Sequence, residues 1–392
     1  MKIQKVILLI FLLVLGYTML YGEISLSDQG FLVGAWLGVQ ASTSGIDNFQ
    51  RLIDHHLDTV MVYMDWNTEI SSIQNRILDP IYNNGSIAIL TWEAWGMSNR
   101  DVINGSKDAY ITRTANDIRN YGREIWIPLF HEGNGNWYPW AIGDSSDNNN
   151  SSYVSAYRHV VDLFRNAGAN NVRWIFNINC TNNGANTSYL GHYPGDNYVD
   201  YLAIDGYNWG TTQDWGSLWQ NFDQIFRSAY NALSGINKPM IIDEIASTEI
   251  GGDKAAWITD SYNKISNSYP RIKAVSWFSE NKETDWRVNS SQASLDAFKA
   301  AIKNTSTATP TVTPTPENTP TPKPTEIMGD VNNSGTIDIV DALLIAQYYV
   351  GLNPNNFNPE KADVNCSGKI DIVDALLIAQ YYVNPSTGLG QC

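Results

Sequence analysis

The chain has 392 residues and a formal net charge of −15. So acidic a protein argues against a nucleic-acid partner, whose phosphates would be repelled. Three cysteines are too few for a disulfide framework, so the fold must come from hydrophobic burial. Trp and Tyr are heavily used, at 14 and 21 residues. That enrichment fits a large aromatic core or flat-ring binding of sugars.

The first 22 residues read as a secretory signal peptide. Lys2 and Lys5 form a charged start, Val6 to Leu15 an apolar stretch, and small or turn residues follow near Gly22. The apolar stretch is short for a membrane span of about 20 residues. Cleavage and export are therefore expected, with no membrane attachment afterwards. Export permits oxidation, and Cys366 and Cys392 can close a C-terminal loop, which leaves Cys180 as a lone thiol.

Residues 30–303 alternate short apolar runs with amphipathic stretches. Eight runs read as strands: 31–38, 59–66, 86–92, 124–132, 172–179, 201–209, 239–246 and 272–278. They are continuously apolar, as parallel strands buried on both faces are. Most gaps between them are long enough for a helix. "YVSAYRHVVDLFRNAG" carries helical spacing and stops at Gly168. Eight such units predict an α/β fold of the (β/α)8 barrel type.

Residues 304–326 are Thr and Pro with almost nothing apolar, which reads as an extended linker. Residues 327–392 form a small, all-helical module with an internal repeat. "IDIVDALLIAQYYV" occurs at 337–350 and again at 370–383, each time after a polar loop. The first loop offers Asp330, Asn332, Ser334, Thr336, Asp338 and Asp341. The second offers Asp363, Asn365, Ser367, Lys369, Asp371 and Asp374. These fall at positions 1, 3, 5, 7, 9 and 12 with Gly at 6, the EF-hand spacing for calcium. Position 7 gives its backbone carbonyl, so Thr or Lys is acceptable there.

In a barrel of this type the active site lies at the C-terminal strand ends. Those ends are rich in carboxylates and aromatics. Strand three ends in Trp92-Glu93 and strand four in His131-Glu132. Strand six carries Asp205 and Tyr207, strand seven Asp243-Glu244, and strand eight Trp277. Glycoside hydrolysis needs two carboxyl groups, one to protonate the leaving oxygen and one to attack the anomeric carbon or activate water. Glu132 and Glu244 are the candidates, from strands on opposite sides of the mouth. Adjacent residues of a strand point to opposite faces, so only one of Asp243 and Glu244 can face the mouth. A zinc protease would need His at the fourth position after His131, where Gly135 stands.

The segment "HEGNGNWYPW", with "IDEIAS", "IDGYNWG" and "AVSWF", resembles the catalytic domain of glycoside hydrolase family 26 over residues 30–300. The resemblance implies a retaining enzyme that needs no cofactor for its chemistry. Glu132 would be acid/base and Glu244 nucleophile, with Tyr207 on the nucleophile and Trp277 flooring the sugar site. The resemblance thus selects Glu244 for the mouth, and Asp243 is then expected to face the helix layer or a turn. His131, Trp137, Tyr138, Trp92, Glu93 and Asp205 would be further substrate contacts. The family includes mannanases, lichenases and xylanases. "TWEAWG", where mannanases of the family tend to carry His, places this chain nearest the lichenase branch, which cuts mixed-linkage β-1,3-1,4-glucan. A mannanase, or a barrel that only binds carbohydrate, stands as the alternative. The repeated module resembles a type I dockerin, with Asp at position 12 rather than Glu and one helix per loop. That implies two structural Ca2+ ions, a cohesin partner on a cellulosome scaffold, and secretion. Loop positions 10 and 11, which help to choose the cohesin, are the apolar pairs Ile339-Val340 and Ile372-Val373.

Overall fold

The structure is a computed structural model. It describes residues 30–38, 41–143, 147–183, 187–303, 328–332, 337–352, 354, 357–383 and 389. The signal peptide, the whole Thr/Pro linker, Ser334, Thr336 and Cys392 lie outside these residues. The chain divides into two compact units, 1–312 and 313–392.

The first unit is a (β/α)8 barrel. Eight parallel strands close in sequence order: β1 Leu32–Trp36, β2 Thr59–Asp65, β3 Ile87–Glu93, β4 Ile125–Pro128, β5 Val172–Asn179, β6 Tyr201–Asn208, β7 Met240–Ser247 and β8 Ile272–Phe278. Because side chains alternate along a strand, each has an inward and an outward set. The inward set at the base includes Met61, Ile89, Trp126, Ile175, Ile241 and Ala274, which plug the barrel. The outward set packs under the helices α1 Thr43–Ile53, α2 Asp79–Asn83, α3 Asp108–Tyr121, α4 Asn150–Asn166, α5 Phe222–Leu233, α6 Lys254–Ser268 and α7 Gln292–Ile302.

Local chemistry sets the helix ends. In α4, Asn149 and Ser152 form a reciprocal capping box. The chain leaves that helix through Gly168 at φ 74°, a left-handed position that suits glycine.

Two expectations need correction. Among the described residues, the β5–β6 connection has no α-helix, only the 3-10 turn Asp196–Tyr198. Its sequence, "GHYPGDNY", favours turns over helix. And β4 stops at Pro128, four residues short of Glu132; beyond it Leu129 makes only an isolated bridge to Trp92.

The second unit holds α8 Ile339–Tyr349 and α9 Ile372–Val383, one from each repeat. Val331, Ala342, Ile345, Val364, Ala375 and Ile378 make its core. Cys366 is disulfide-bonded and Cys180 is a free thiol. No helix among the described residues is long and apolar enough to cross a membrane.

Candidate active site

The C-terminal strand ends surround a cavity of about 970 Å³, and both Glu132 and Glu244 line it. The two are positioned in different ways.

Glu132 sits on a turn. Phe130 and Glu132 both adopt left-handed backbone, at φ 53° and 51°, which costs about 1–2 kcal/mol each in an L-residue. Hydrogen bonds fix every step of that turn. Tyr153 Oη donates to the Phe130 carbonyl at 2.9 Å, and Trp140 Nε1 to the His131 carbonyl at 2.9 Å. The Gly135 N–H donates to the Glu132 carbonyl at 2.8 Å, and the Glu132 N–H donates to Asn177 Oδ1 at 2.9 Å. Glycine is required here by close approach. A Cβ on Gly133 would lie 2.4 Å from the Tyr153 ring, and one on Gly135 2.7 Å from the Trp137 ring.

The Glu132 carboxyl accepts from Trp137 Nε1 at 2.7 Å and from Asn179 Nδ2 at 2.6 Å. Burial, then the charge of Glu244, push its pKa up to about 7, against the pull of these two donors. A group so poised can hold and release a proton near neutrality.

Glu244 sits on β7 next to a β-bulge. Ile204 pairs with Ile242, and the next residue, Asp205, pairs with Glu244, so Asp243 is the extra residue. Asp243 therefore does not face the helix layer. It lies buried beside Asn177 Nδ2, 3.4 Å away. Each Glu244 oxygen accepts a phenol: Tyr63 Oη on Oε1 and Tyr207 Oη on Oε2. Burial raises the Glu244 pKa, while the two hydroxyls and Lys282 oppose that rise.

Of the other residues singled out by the sequence, Glu93, Trp137, Tyr138 and Tyr207 line the cavity. Glu93 has its pKa raised, chiefly by burial. Trp92, His131, Asp205 and Trp277 do not reach the cavity. Trp277 points outward, because its neighbour Phe278 takes the inward position on β8. It packs against Trp257 and Phe298 of the helix layer, and its Nε1 donates to the Trp286 carbonyl at 2.8 Å. Trp92 is outward for the same reason and packs on Trp66. His131 is buried among Tyr63, Tyr138 and Trp140; desolvation lowers its pKa to about 3, so the ring is neutral. Asp205 is fully buried and accepts from Asn177 Nδ2 on both oxygens at 2.9 Å. It orients the amide that in turn holds the Glu132 backbone.

Several residues of the site carry no clear mark in the sequence: Trp36, Tyr63, Asn177, Asn179 and Lys282. The asparagines had a usable signal, since they alternate at the C-terminal end of an otherwise apolar strand, on the inward face. Lys282 is the one Lys, Arg or His side chain lining the cavity among the described residues.

In the second unit, the loop 363–374 folds around its own oxygens. Asp363 accepts from the Ser367 and Gly368 N–H groups at 3.0 and 2.7 Å. Asp374, buried, accepts from those of Asn365 and Asp371 at 3.3 and 2.8 Å. Burial raises the Asp374 pKa, and the charges of Asp363 and Asp371 add to the rise. Such a concentration of oxygen ligands and negative charge fits a hard divalent cation.

Residues 93–268 match the model of Glycosyl hydrolase family 26, and residues 328–382 that of the Dockerin type I domain. Endoglucanase H of Acetivibrio thermocellus is 57% identical over 276 residues, covering 70% of this chain and 31% of that protein. A mannan endo-1,4-beta-mannosidase of Bifidobacterium adolescentis is 37% identical over 98 residues, 25% of this chain and 9% of that one. The chain thus spans about a third or less of the length of these two relatives. Among solved structures, the catalytic domain of a family 26 endo-beta-1,4-mannanase from Bacillus sp. JAMB-750 superposes with TM-score 0.56 at 18% identity, over 73% of this chain and 89% of that one. A family 26 beta-mannanase from Bacteroides ovatus gives TM-score 0.54 at 14% identity, over 73% and 92%. At such identities the likeness is one of fold. The barrel is a glycosyl hydrolase family 26 domain, and the module that follows the linker is a type I dockerin.

Proposed function

We propose that the barrel is an endo-acting, retaining β-glycanase that cuts mixed-linkage β-1,3-1,4-glucan, with Glu132 as acid/base and Glu244 as nucleophile. The observation that carries this reading is the pair of buried carboxyls on one cavity, one poised to hold a proton near neutrality and the other held by two hydroxyl donors.

Glu132 starts protonated and gives its proton to the glycosidic oxygen as that bond breaks. A Glu244 oxygen attacks the anomeric carbon and forms a covalent glycosyl-enzyme. Water then attacks the same carbon, Glu132 takes its proton, and Glu244 leaves as a carboxylate. Two inversions retain the configuration. Trp137, Trp95 and Trp215 line the cavity and remain partly exposed. Such rings can stack on successive pyranose faces, which suits attack within a chain.

The preference for glucan rests on the high identity to a protein called Endoglucanase H and on "TWEAWG", which spans the end of β3. Parallel digestion of mixed-linkage glucan, mannan, and β-1,3- and β-1,4-xylan is the test. We expect mixed-linkage glucan to be cut first, to short oligosaccharides whose new reducing ends appear as the β-anomer by NMR. Mannan cut in preference to glucan would replace the substrate, and α-anomers would overturn retention. No cleavage of any of them would favour a barrel that only binds carbohydrate.

For the dockerin, we propose that Asp363, Asn365, Ser367, Asp371, Asp374 and the Lys369 carbonyl hold one calcium ion. Asp330, Asn332, Asp338 and Asp341, with Ser334 and the Thr336 carbonyl, hold a second. Calcium would neutralise the loop carboxylates and so favour the folded module, which would dock this secreted enzyme on a cohesin. A chelator is expected to reduce dockerin helicity and to abolish binding to type I cohesins, while hydrolysis of soluble glucan persists. Cohesin binding that survives chelation would remove the calcium assignment.

A further inference from the structure

Four carboxyl groups are buried in one site: Glu132, Asp205, Asp243 and Glu244. Desolvation and mutual repulsion prevent all four from being charged. Double displacement needs the charge to reside on Glu244.

The donors around the four groups are unequal. Glu132 accepts from one amide and one indole. Asp205 accepts from the Asn177 amide alone. Asp243 has only that same amide, at 3.4 Å, and its Oδ1 has no partner. Glu244 alone receives a hydroxyl on each oxygen. Lys282 does not single out Glu244, because its field acts on Glu132 and Glu93 as well. The hydroxyls do distinguish. Tyr207 is the partner expected from the sequence; Tyr63 is not.

We propose that Tyr63 is a catalytic residue: its hydroxyl, on the Glu244 oxygen that Tyr207 leaves, keeps the negative charge of the four-carboxyl cluster on the nucleophile. This role rests on the assignment of Glu244 as nucleophile. The Tyr63 ring is fixed edge-on against Trp36, with centroids 4.9 Å apart at 87°, and against the neutral His131 at 6.1 Å. Burial, and then the charge of Glu244, hold the Tyr63 phenol well above its usual pKa. A phenol so held is a donor and not a base.

The titratable groups around Glu244 are Tyr63 on β2, Glu93 on β3, Glu132 and Tyr138 beyond β4, and Asp205 and Tyr207 on β6. Asp243 adjoins it on β7, and Glu280, Lys282 and Glu283 follow β8. Every carboxyl among them disfavours a charge on Glu244. Removing one hydroxyl therefore raises its apparent pKa.

The test is Tyr63→Phe in the full chain, assayed across pH on whichever glycan the wild type cuts. We expect kcat to fall roughly tenfold to hundredfold with little change in KM, as for loss of a hydrogen bond to a charged group. The acid limb of kcat/KM should move up by about one pH unit. A wild-type kcat and acid limb would overturn the proposal, and so would a lower kcat with the limb unmoved, which marks a packing role. If Tyr63→Phe folds poorly, fluorotyrosine at position 63 gives a stronger donor without loss of shape. The limb should then move down, and an unmoved limb would again refute the idea. Failure of the nucleophile assignment itself reads differently, as hydrolysis that survives Glu244→Ala.

Discussion

Glu244→Ala is expected to lower hydrolysis by at least about 10⁴-fold, because no covalent intermediate can then form. The substitution also leaves Tyr63 and Tyr207 without their acceptor. A small anion such as azide should enter that space and restore turnover of an activated aryl glycoside, with inverted product. A second readout is independent of activity. The charge of Glu244 is the second cause, after burial, of the raised Glu132 pKa. In the variant the Glu132 carboxyl should titrate lower, measurable by NMR of a side-chain label. Full activity in Glu244→Ala would refute the assignment, and an unmoved Glu132 titration would refute the electrostatic coupling.

Glu132→Ala is expected to cost about 10²- to 10⁴-fold in kcat on glucan, the usual contribution of a positioned general acid. The loss should depend on the leaving group. An aryl glycoside needs little protonation, so its first step should stay fast while the second slows. The glycosyl-enzyme should then accumulate and be visible by mass spectrometry. The wild type adds a test through pH. Glu132 must be protonated to act as acid, and its pKa is pushed up to about 7. Activity should therefore fall on the basic side as pH rises through about 7, as an apparent value of the coupled pair. In Glu132→Ala that basic limb should vanish for the aryl substrate. A limb that remains would mean that another group supplies the proton.

The strands were legible because burial on both faces writes a continuous apolar run. Two of them, β5 and β8, begin and end where the runs do. The end of β4 was not legible. "LFHE" continues the apolar run, but its left-handed residues are held by Asn177 and Tyr153, which are distant in sequence, and by Trp140 further along the same loop. Trp277 was misplaced for a related reason. Either Trp277 or Phe278 can face inward until the pairing with β1 and β7 fixes the phase of β8. Tyr63 was hidden inside a strand that reads as core, since nothing local tells a tyrosine that fills space from one whose hydroxyl meets a carboxylate. The calcium spacing was readable because EF-hand ligands come from one short loop, whereas the cavity draws on residues from almost every strand.

The bulge in β7 has a bearing on how such a site can be acquired. In a regular strand, two neighbouring carboxyls cannot share one face. Counting Asp243 as the supernumerary residue, the pairing of β7 with β6 is regular on either side of it, with Ile242 against Ile204 before and Glu244 against Asp205 after. Insertion of a single codon at that point would thus add a second acid without turning any downstream side chain to the wrong face. Deletion of Asp243 should likewise leave Glu244 pointing inward. The barrel's cluster of buried carboxyl groups thus lies where the pairing lets one residue come or go without disturbing the alternation around it.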